Sequence, residues 1–397
     1  MGIASKEGAG RCVGVVASTP TFEYFYGPLG VTRESYSQFE GEWIYTYTKA
    51  LQARGWKVVV FQFSSEISSI VRTTHKSGAD IYWVPCGHWS FFATWPIGGR
   101  FLSSWLTTWF SQFKNAVIAS QCNILYVQEY WLSRVDAIAQ MGIKLPIIAA
   151  SHGEIVSHMA KPVKNFTFRA ISAFTVLTPG EYRQLTGLYP EHKSKVSVIP
   201  NWIDVEAVGS RPRSTKRNRL RRLLFVGRLT HDKGLKTLIE AMMHVDAELW
   251  VIGTGPDDAI LRKFAKTCDV SSRITWLGLV PRETVGEVMS RVDVFVSCSY
   301  WEGFALAVIE AMGNGLPIVA TNIAPTVDAC REYQAAILVS PGDVWGLSKA
   351  LNEMLGRLDQ YRHLAERDAV WARRAYGDEP PQQLHELLLK VLGNPNH

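Results

Sequence analysis

The sequence predicts an α/β chain built from two successive doubly wound units. Short apolar runs of strand length alternate with helical patterns along the whole chain. The alternation breaks once, in a basic stretch at residues 203–222, and then restarts. At 397 residues, the chain is long enough for two units that each bury their own core. Helices between successive strands argue for parallel sheets covered on both faces. The expected division is a first unit at residues 1–202, a linker at 203–222, a second unit at 223–375 and a closing helix at 376–397.

In the first half, strands are expected at residues 12–17, 57–61, 81–85, 123–128, 146–150, 173–177 and 196–200. A long irregular segment follows the first strand to about residue 40, and a helix at 41–54 precedes Gly55. Phe101, Leu102, Trp105, Leu106, Trp109, Phe110 and Phe113 recur at i, i+3/i+4 spacing and mark a helix. In the second half, strands are expected at 223–227, 247–253, 274–277, 292–297 and 316–320, with helices at 235–243, 256–268 and 282–290. An apolar run from Ile337 and terminal helices finish the chain. No Gly-x-Gly-x-x-Gly follows the first strand, so a dinucleotide site has little support.

Composition narrows the class. The chain is 47% hydrophobic and 20% charged, the balance of an ordinary globular protein. It has no apolar run long enough to span a membrane, no apolar signal core at its start and no myristoylation pattern. Cys12, Cys86, Cys122, Cys268, Cys298 and Cys330 are scattered without a Cys-x-x-Cys pair, which favours reduced thiols and a cytoplasmic setting. Seven of the twelve residues from Arg211 to Arg222 are Arg or Lys, within a net charge of +6. Such a run is ordinarily a solvated linker. The alternative is a peripheral contact with an anionic inner-membrane face or an anionic acceptor. A nucleic-acid partner is disfavoured, because the run lacks interleaved aromatic residues.

The segment from Tyr300 to Thr321, Tyr-Trp-Glu-Gly-Phe-Ala-Leu-Ala-Val-Ile-Glu-Ala-Met-Gly-Asn-Gly-Leu-Pro-Ile-Val-Ala-Thr, reads as turn, helix, tight turn and buried strand. Eight residues of helix rise about 12 Å, which would put the Glu302 and Glu310 carboxylates at opposite ends of one element. Carboxylates accept from paired hydroxyls, and a helix N-terminus offers free N–H groups to a phosphate. Read alone, the two glutamates would be a solvent-facing residue and an ordinary mid-helix one. Three further strings precede them in order: Ile199-Pro-Asn-Trp-Ile-Asp204, Val226-Gly-Arg-Leu-Thr-His-Asp-Lys-Gly234 and Val251-Ile-Gly-Thr-Gly-Pro256. Arg228 and Lys233 would set two cations on one strand-to-helix loop, a planar fork and a mobile point charge.

Together these four strings closely resemble the signature of the family 4 retaining glycosyltransferases (group 1 glycosyl transferases). The resemblance implies the GT-B fold, two Rossmann-like domains facing each other across a cleft, with a C-terminal helix crossing back to the first. It implies that the first domain binds acceptor and the second a nucleotide-sugar donor. In its terms Arg228 and Lys233 neutralise the donor diphosphate, usually without an obligatory metal. Glu310 holds the ribose hydroxyls and Glu302 meets the donor sugar or its phosphate side. Gly303 and Phe304 offer backbone N–H groups to the phosphates, with Ala305 and Gly227 beside them, while Gly278 to Val280 seats the base. Ser151-His152-Gly153 matches a His-Gly whose imidazole lies near the transferred sugar. The family's glycine loop before the first long helix survives as Glu40-Gly41. Trp202 replaces a usual glycine, Gln128 and Glu129 stand where a His-x-His is common, and Ala324-Pro325 replaces a second Gly-Gly, with Asp328 where Glu is common.

Two segments are expected to shape the acceptor side. Residues 19–39 carry Phe22, Tyr24, Phe25, Tyr26, Tyr36 and Phe39, and would line an acceptor cleft or form a lid. The aromatic helix after His88 has Ser103, Ser104, Thr107, Thr108 and Ser111 on its polar face without Lys or Arg, which points to core packing rather than membrane docking. The expected reaction moves a hexosyl unit from a UDP- or GDP-sugar to an acceptor hydroxyl with retention, no cofactor being required. The acceptor would be a saccharide, a lipid-linked saccharide or a small metabolite. The alternatives are an epimerase or phosphorylase-like enzyme of the same architecture, and a non-catalytic nucleotide-sugar-binding protein.

Overall fold

A computed structural model describes residues 10–18, 21–27, 30–39, 43–88, 99–151, 153, 161–204 and 220–393. The chain forms two compact units, Met1–Pro200 with Pro381–His397, and Asn201–Pro380.

The first unit holds an eight-stranded sheet: β1 (Cys12–Val16), β2 (Lys57–Ser64), β3 (Val71–Thr74), β4 (Asp80–Pro85), β5 (Ile124–Gln128), β6 (Ile147–Ala150), β7 (Ala173–Val176) and β8 (Val196–Val198), in the order β3-β4-β2-β1-β5-β6-β7-β8. All pairs are parallel except β3 with β4. The sheet grows outward both ways from β1, so its topological switch lies between β1 and β5. Val16, Phe61, Leu125, Val127 and Phe174 lie in its core. The last helix, Glu379–Leu392, belongs to this unit from Pro381 onward; its Leu384 and Leu388 are buried, and Trp56 Nε1 donates to His385 Nδ1 at 2.9 Å.

Several expectations for this unit need correction. The edge strand β3 was not expected from sequence; its Val-Arg-Thr-Thr is mostly exposed and too short and polar to carry an apolar signature. Residues 18–40 are not irregular throughout but include two short helices, Phe22–Tyr26 and Arg33–Tyr36, started by the hydroxyl caps Thr21 and Thr32. Phe22, Tyr26 and Tyr36 are buried and pack on one another, and Phe22 and Tyr36 also meet Trp83 edge-on. These three rings are therefore core rather than cleft or lid; of the other aromatic residues in the segment Tyr24 and Phe25 face solvent and Phe39 is half-buried.

The aromatic helix, Gly99–Trp109, packs the opposite way from expectation. Ser103, Ser104, Thr107 and Thr108 are buried, whereas Leu102 is 38%, Trp109 38% and Phe110 60% exposed. Its small polar face lies against helix Ser133–Gln140, whose buried Arg134 donates from Nε to Thr108 Oγ1 at 3.0 Å. Arg134 also donates to the Ala17 carbonyl and lies 4.0 Å from the Phe63 ring centre.

The second unit is a six-stranded parallel sheet of β9 (Arg221–Val226), β10 (Ala247–Ile252), β11 (Ile274–Gly278), β12 (Val294–Ser297), β13 (Ile318–Thr321) and β14 (Ala336–Val339), ordered β11-β10-β9-β12-β13-β14. Alternate residues feed two cores. Leu223, Phe225, Val294, Val296 and Val319 pack on one face, and Leu224, Phe295, Ile318 and Ala320 on the other. The basic run ends inside this sheet rather than in a linker. Arg222 pairs with Glu248 at 3.0 Å and lies over the Trp250 ring, while residues 205–219 fall outside the described residues. The switch of this sheet lies between β9 and β12, at whose carboxyl ends an open α/β sheet places its ligands.

Candidate active site

Two loops leave those strand ends. After β9, residues Gly227 to Leu229 are held by the neighbouring turn. Gly227 N–H donates to Ile252 O at 3.1 Å, Leu229 N–H to Thr254 O at 2.9 Å, and Asp257 N–H to Leu229 O at 3.0 Å. Gly253 has φ +133°, and a Cβ there would stand 1.9 Å from the Gly227 oxygen, so only glycine lets the two backbones approach. The glycines of Val251 to Pro256 thus shape the loop that carries Arg228. The chain then makes a 3-10 turn, His231–Lys233, and leaves it through Gly234 at φ +65°. A Cβ on Gly234 would lie 2.0 Å from the Cys298 oxygen, which ties this turn to the loop after β12.

The second loop, from Cys298 to Ala305, is cross-braced to the first. Tyr300 N–H donates to Asp232 O at 2.8 Å, its hydroxyl meets Thr237 Oγ1 at 3.0 Å, and the His231 ring stacks on it. The result is an ion pair at the pocket wall. Lys233 Nζ lies 2.6 Å from Glu302 Oε2, and Ser299 Oγ donates to Glu302 Oε1 at 2.7 Å. Ser299 is itself fixed by Thr321 Oγ1, which donates to its carbonyl at 2.7 Å. Burial acts to raise the Asp232 carboxyl pKa, but the Thr230 hydroxyl and the charges of Lys233 and Arg228 outweigh it, so the group sits below its ordinary value. Arg228 is exposed and makes no side-chain hydrogen bond or ion pair among the described residues.

These loops and helix Leu306–Gly313 enclose a pocket of about 280 Å³. Gly227, Arg228, Lys233, Glu302, Phe304, Ala305 and Glu310 all line it. The helix has no side-chain cap, and its first turn lies along the wall, so N–H groups with no intrahelical partner flank the space. Glu302 and Glu310 are not at the two ends of one helix. The helix begins at Leu306, so Glu302 stands on the preceding loop and only about 6 Å of helical rise separates Leu306 from Glu310.

Gly303 adjoins the pocket in sequence without lining it. Gly278 and Val280 lie at and beyond the end of β11, two strands from β9, and also do not line it; Gly278 O accepts from Gly253 N–H at 2.8 Å. His152 and Gly41 fall outside the described residues. Sequence reasoning passed over Ser297, which lines the pocket, and Ser299, which orients Glu302. Their place at and just beyond the carboxyl end of β12, beside the switch point, was the available signal.

A pocket with two cations, two carboxylates and a helix start suits a ligand that carries both phosphates and sugar hydroxyls. Comparison with known proteins agrees. Residues 210–370 match the family model described as glycosyl transferases group 1, and residues 41–207 match that of Glycosyltransferase Family 4. The chain is 24% identical over 207 residues to the 2-deoxystreptamine glucosyltransferase of Streptomyces kanamyceticus, covering 49% of this chain and 54% of that protein. It spans about half the length of curated relatives such as this one. Among solved structures it is similar to sucrose-phosphate synthase from Thermosynechococcus elongatus, with TM-score 0.73 and 17% identity over 96% of this chain and 99% of that one. It is also similar to Anabaena HepE in complex with UDP and glucose, with TM-score 0.68 and 14% identity over 96% and 100%. At such identities the structural likeness speaks for the fold, which is GT-B. With the two family models matched in tandem over most of its length, the chain belongs to the group 1, family 4 glycosyltransferases.

Proposed function

We propose that this protein transfers a hexosyl unit from a UDP- or GDP-sugar to an acceptor hydroxyl with retention at the anomeric carbon. The observation that carries the reading is the convergence of Arg228, Lys233, Glu302 and Glu310 on one pocket at the switch point of the second unit. In this reading residues 223–375 bind the donor and residues 1–202 the acceptor, which is a saccharide, a lipid-linked saccharide or a small metabolite. The cytoplasm is the proposed setting, in keeping with six free cysteines. No helix among the described residues is long and apolar enough to cross a membrane.

The proposed step breaks the bond between the anomeric carbon and the β-phosphate oxygen. Negative charge builds on the diphosphate, where Arg228 and Lys233 stabilise it with the N–H groups at the start of helix Leu306–Gly313. Lys233 begins on Glu302, so an entering phosphate shares that ammonium, and Glu302 keeps its bond from Ser299 while turning toward the sugar. Glu310 receives the ribose hydroxyls and Gly278 to Val280 the base. The acceptor oxygen bonds to the anomeric carbon on the face the phosphate leaves, and its proton passes to the departing phosphate oxygen. His152 and Gly41 complete the sugar and phosphate contacts in this reading.

Calorimetric titration of UDP, GDP, ADP and their sugars against wild type and Glu310→Ala tests the donor site. One nucleotide should bind wild type and lose most of its affinity in the variant. Failure of every nucleotide to bind would overturn the donor assignment. Proton NMR of the first turnover product reads the anomeric configuration, and an inverted product or an epimerised donor would overturn the retaining transfer.

A further inference from the structure

We propose that the ion pair between Lys233 and Glu302 makes this pocket favour an intact sugar nucleotide over the bare nucleoside diphosphate that transfer leaves behind, a preference that rests on the donor reading above. The two cations of the pocket are not equivalent. Arg228 is exposed and makes no side-chain hydrogen bond or ion pair among the described residues, so it stands ready for an anion. Lys233 is already committed. Its Nζ lies 2.6 Å from Glu302 Oε2 and 4.0 Å from Asp232 Oδ2. The Lys233 and Glu302 side chains are 15% and 19% exposed, so water screens their attraction less than it screens a surface pair. Asp232 is both further away and more open to solvent.

Glu302 is fixed on its other side. Its Oε1 accepts from the buried Ser299 Oγ at 2.7 Å, and the Ser299 carbonyl accepts from Thr321 Oγ1 at 2.7 Å. The lysine ammonium rides on a flexible stem while this carboxylate is held, so an entering diphosphate draws Lys233 away and leaves Glu302 behind. A carboxylate largely removed from water then stands beside phosphate without its cation.

The outcome differs between the two ligands. An intact donor brings sugar hydroxyls, which donate to the stranded carboxylate in place of the lost ammonium. A bare nucleoside diphosphate brings no hydroxyl to that point and carries extra negative charge on its terminal phosphate. Glu302 repels it and reclaims Lys233. Specificity is a difference of affinities, and a charge left unpaired against one ligand supplies it. Glu310 makes no such distinction, because the ribose it receives in this reading is common to both ligands. The contact that receives the donor's sugar thus loosens the product once the sugar has gone.

The test is calorimetric titration of the full chain, wild type and Glu302→Gln, with UDP, GDP and ADP and with UDP-glucose, UDP-N-acetylglucosamine, GDP-mannose and ADP-glucose. The amide keeps an acceptor for Ser299 but has no charge to hold Lys233. For the base that wild type binds, the variant should take the diphosphate on the order of 10-fold more tightly. It should bind the bare nucleoside as wild type does, and the sugar nucleotide no more tightly than wild type does. Misfolding cannot mimic a gain of affinity. Ser299→Ala, which frees the carboxylate to travel with Lys233, should narrow the gap between the two ligands in the same direction by a smaller factor. A diphosphate that binds wild type and is not tightened in Glu302→Gln would overturn the proposal and leave the donor site standing. Equal tightening of diphosphate and sugar nucleotide would also overturn it, since Glu302 would then repel phosphate without discriminating. If no nucleotide bound wild type, the donor assignment itself would fall, and this preference with it.

Discussion

Replacing Gly253 by alanine should distort the loop that carries Arg228 without adding an atom to the pocket wall. The added Cβ would stand 1.9 Å from the Gly227 oxygen, about 1.4 Å inside the ~3.3 Å of a close C···O contact. Both partners are backbone, so the Gly227–Leu229 loop or the 252–257 turn has to shift by roughly that amount. Alanine at φ +133° adds strain of about 1–3 kcal/mol. For a unit of this size, each kcal/mol lowers Tm by about 2–4 °C, so a fall of about 2–12 °C is expected. An ångström of displacement at a charge-stabilising group costs on the order of 10²-fold in kcat/KM. The assay pairs thermal unfolding with calorimetry of whichever nucleotide binds wild type and with kcat/KM for the matching nucleotide sugar. Gly187→Ala is the control, because that helical glycine has nothing within 4 Å of an added Cβ. If Gly253→Ala kept both the wild-type Tm and the wild-type affinity, close backbone approach would not be what holds Arg228 in place.

Lys233→Met should lower kcat by about 10²–10³-fold, the loss expected for one donor to a developing anion, while Tm changes little; unchanged kcat would remove Lys233 from the reaction. Burial and then Lys195 lower the pKa of His192, whose ring lies 5.9 and 6.2 Å from those of Phe168 and Phe174. The folded state therefore binds fewer protons than the unfolded state near and below about pH 6.5, and stability is lost as pH falls through that range. His192→Phe should flatten this acid slope in a Tm–pH series, and an unchanged slope would assign it to other groups. The Thr107 hydroxyl is buried without a hydrogen-bond partner among the described residues, so Thr107→Val should range from neutral to about 1–2 kcal/mol stabilising in urea titration. A marked loss of stability would mean that the hydroxyl has a partner.

The pocket of the second unit was largely legible because its requirements are local. Gly227 to Gly234 and Ser297 to Glu310 are two short stretches leaving adjacent strands, and their glycines record backbone contacts that only glycine permits. Ser299 was harder to find, since a lone serine after a strand has no spacing that marks it as the partner of Glu302. The extent of the helix was misjudged for a related reason. Gly303-Phe304-Ala305 has an apolar pattern that continues into the helix, and the Cys298–Ala305 loop stays non-helical because Tyr300 and Glu302 are bonded to Asp232 and Lys233 across the sheet. The short edge strand β3 is held by its pairing with β4, with no hydrophobic periodicity of its own.

Alternation of apolar strands and amphipathic helices, set by backbone geometry, was enough to determine two doubly wound units, and glycine spacing was enough to locate the loops that line the pocket. The tertiary structure alone decided which side of each element faces inward. In helix Gly99–Trp109 the period was readable, but its phase was not. Hydrophobicity argues for burying Trp109 and Phe110, whereas close packing on helix Ser133–Gln140 and the bond from Arg134 to Thr108 bury the small polar side instead. A period belongs to the chain, but a phase depends on the neighbour, and the neighbour is brought there by the fold.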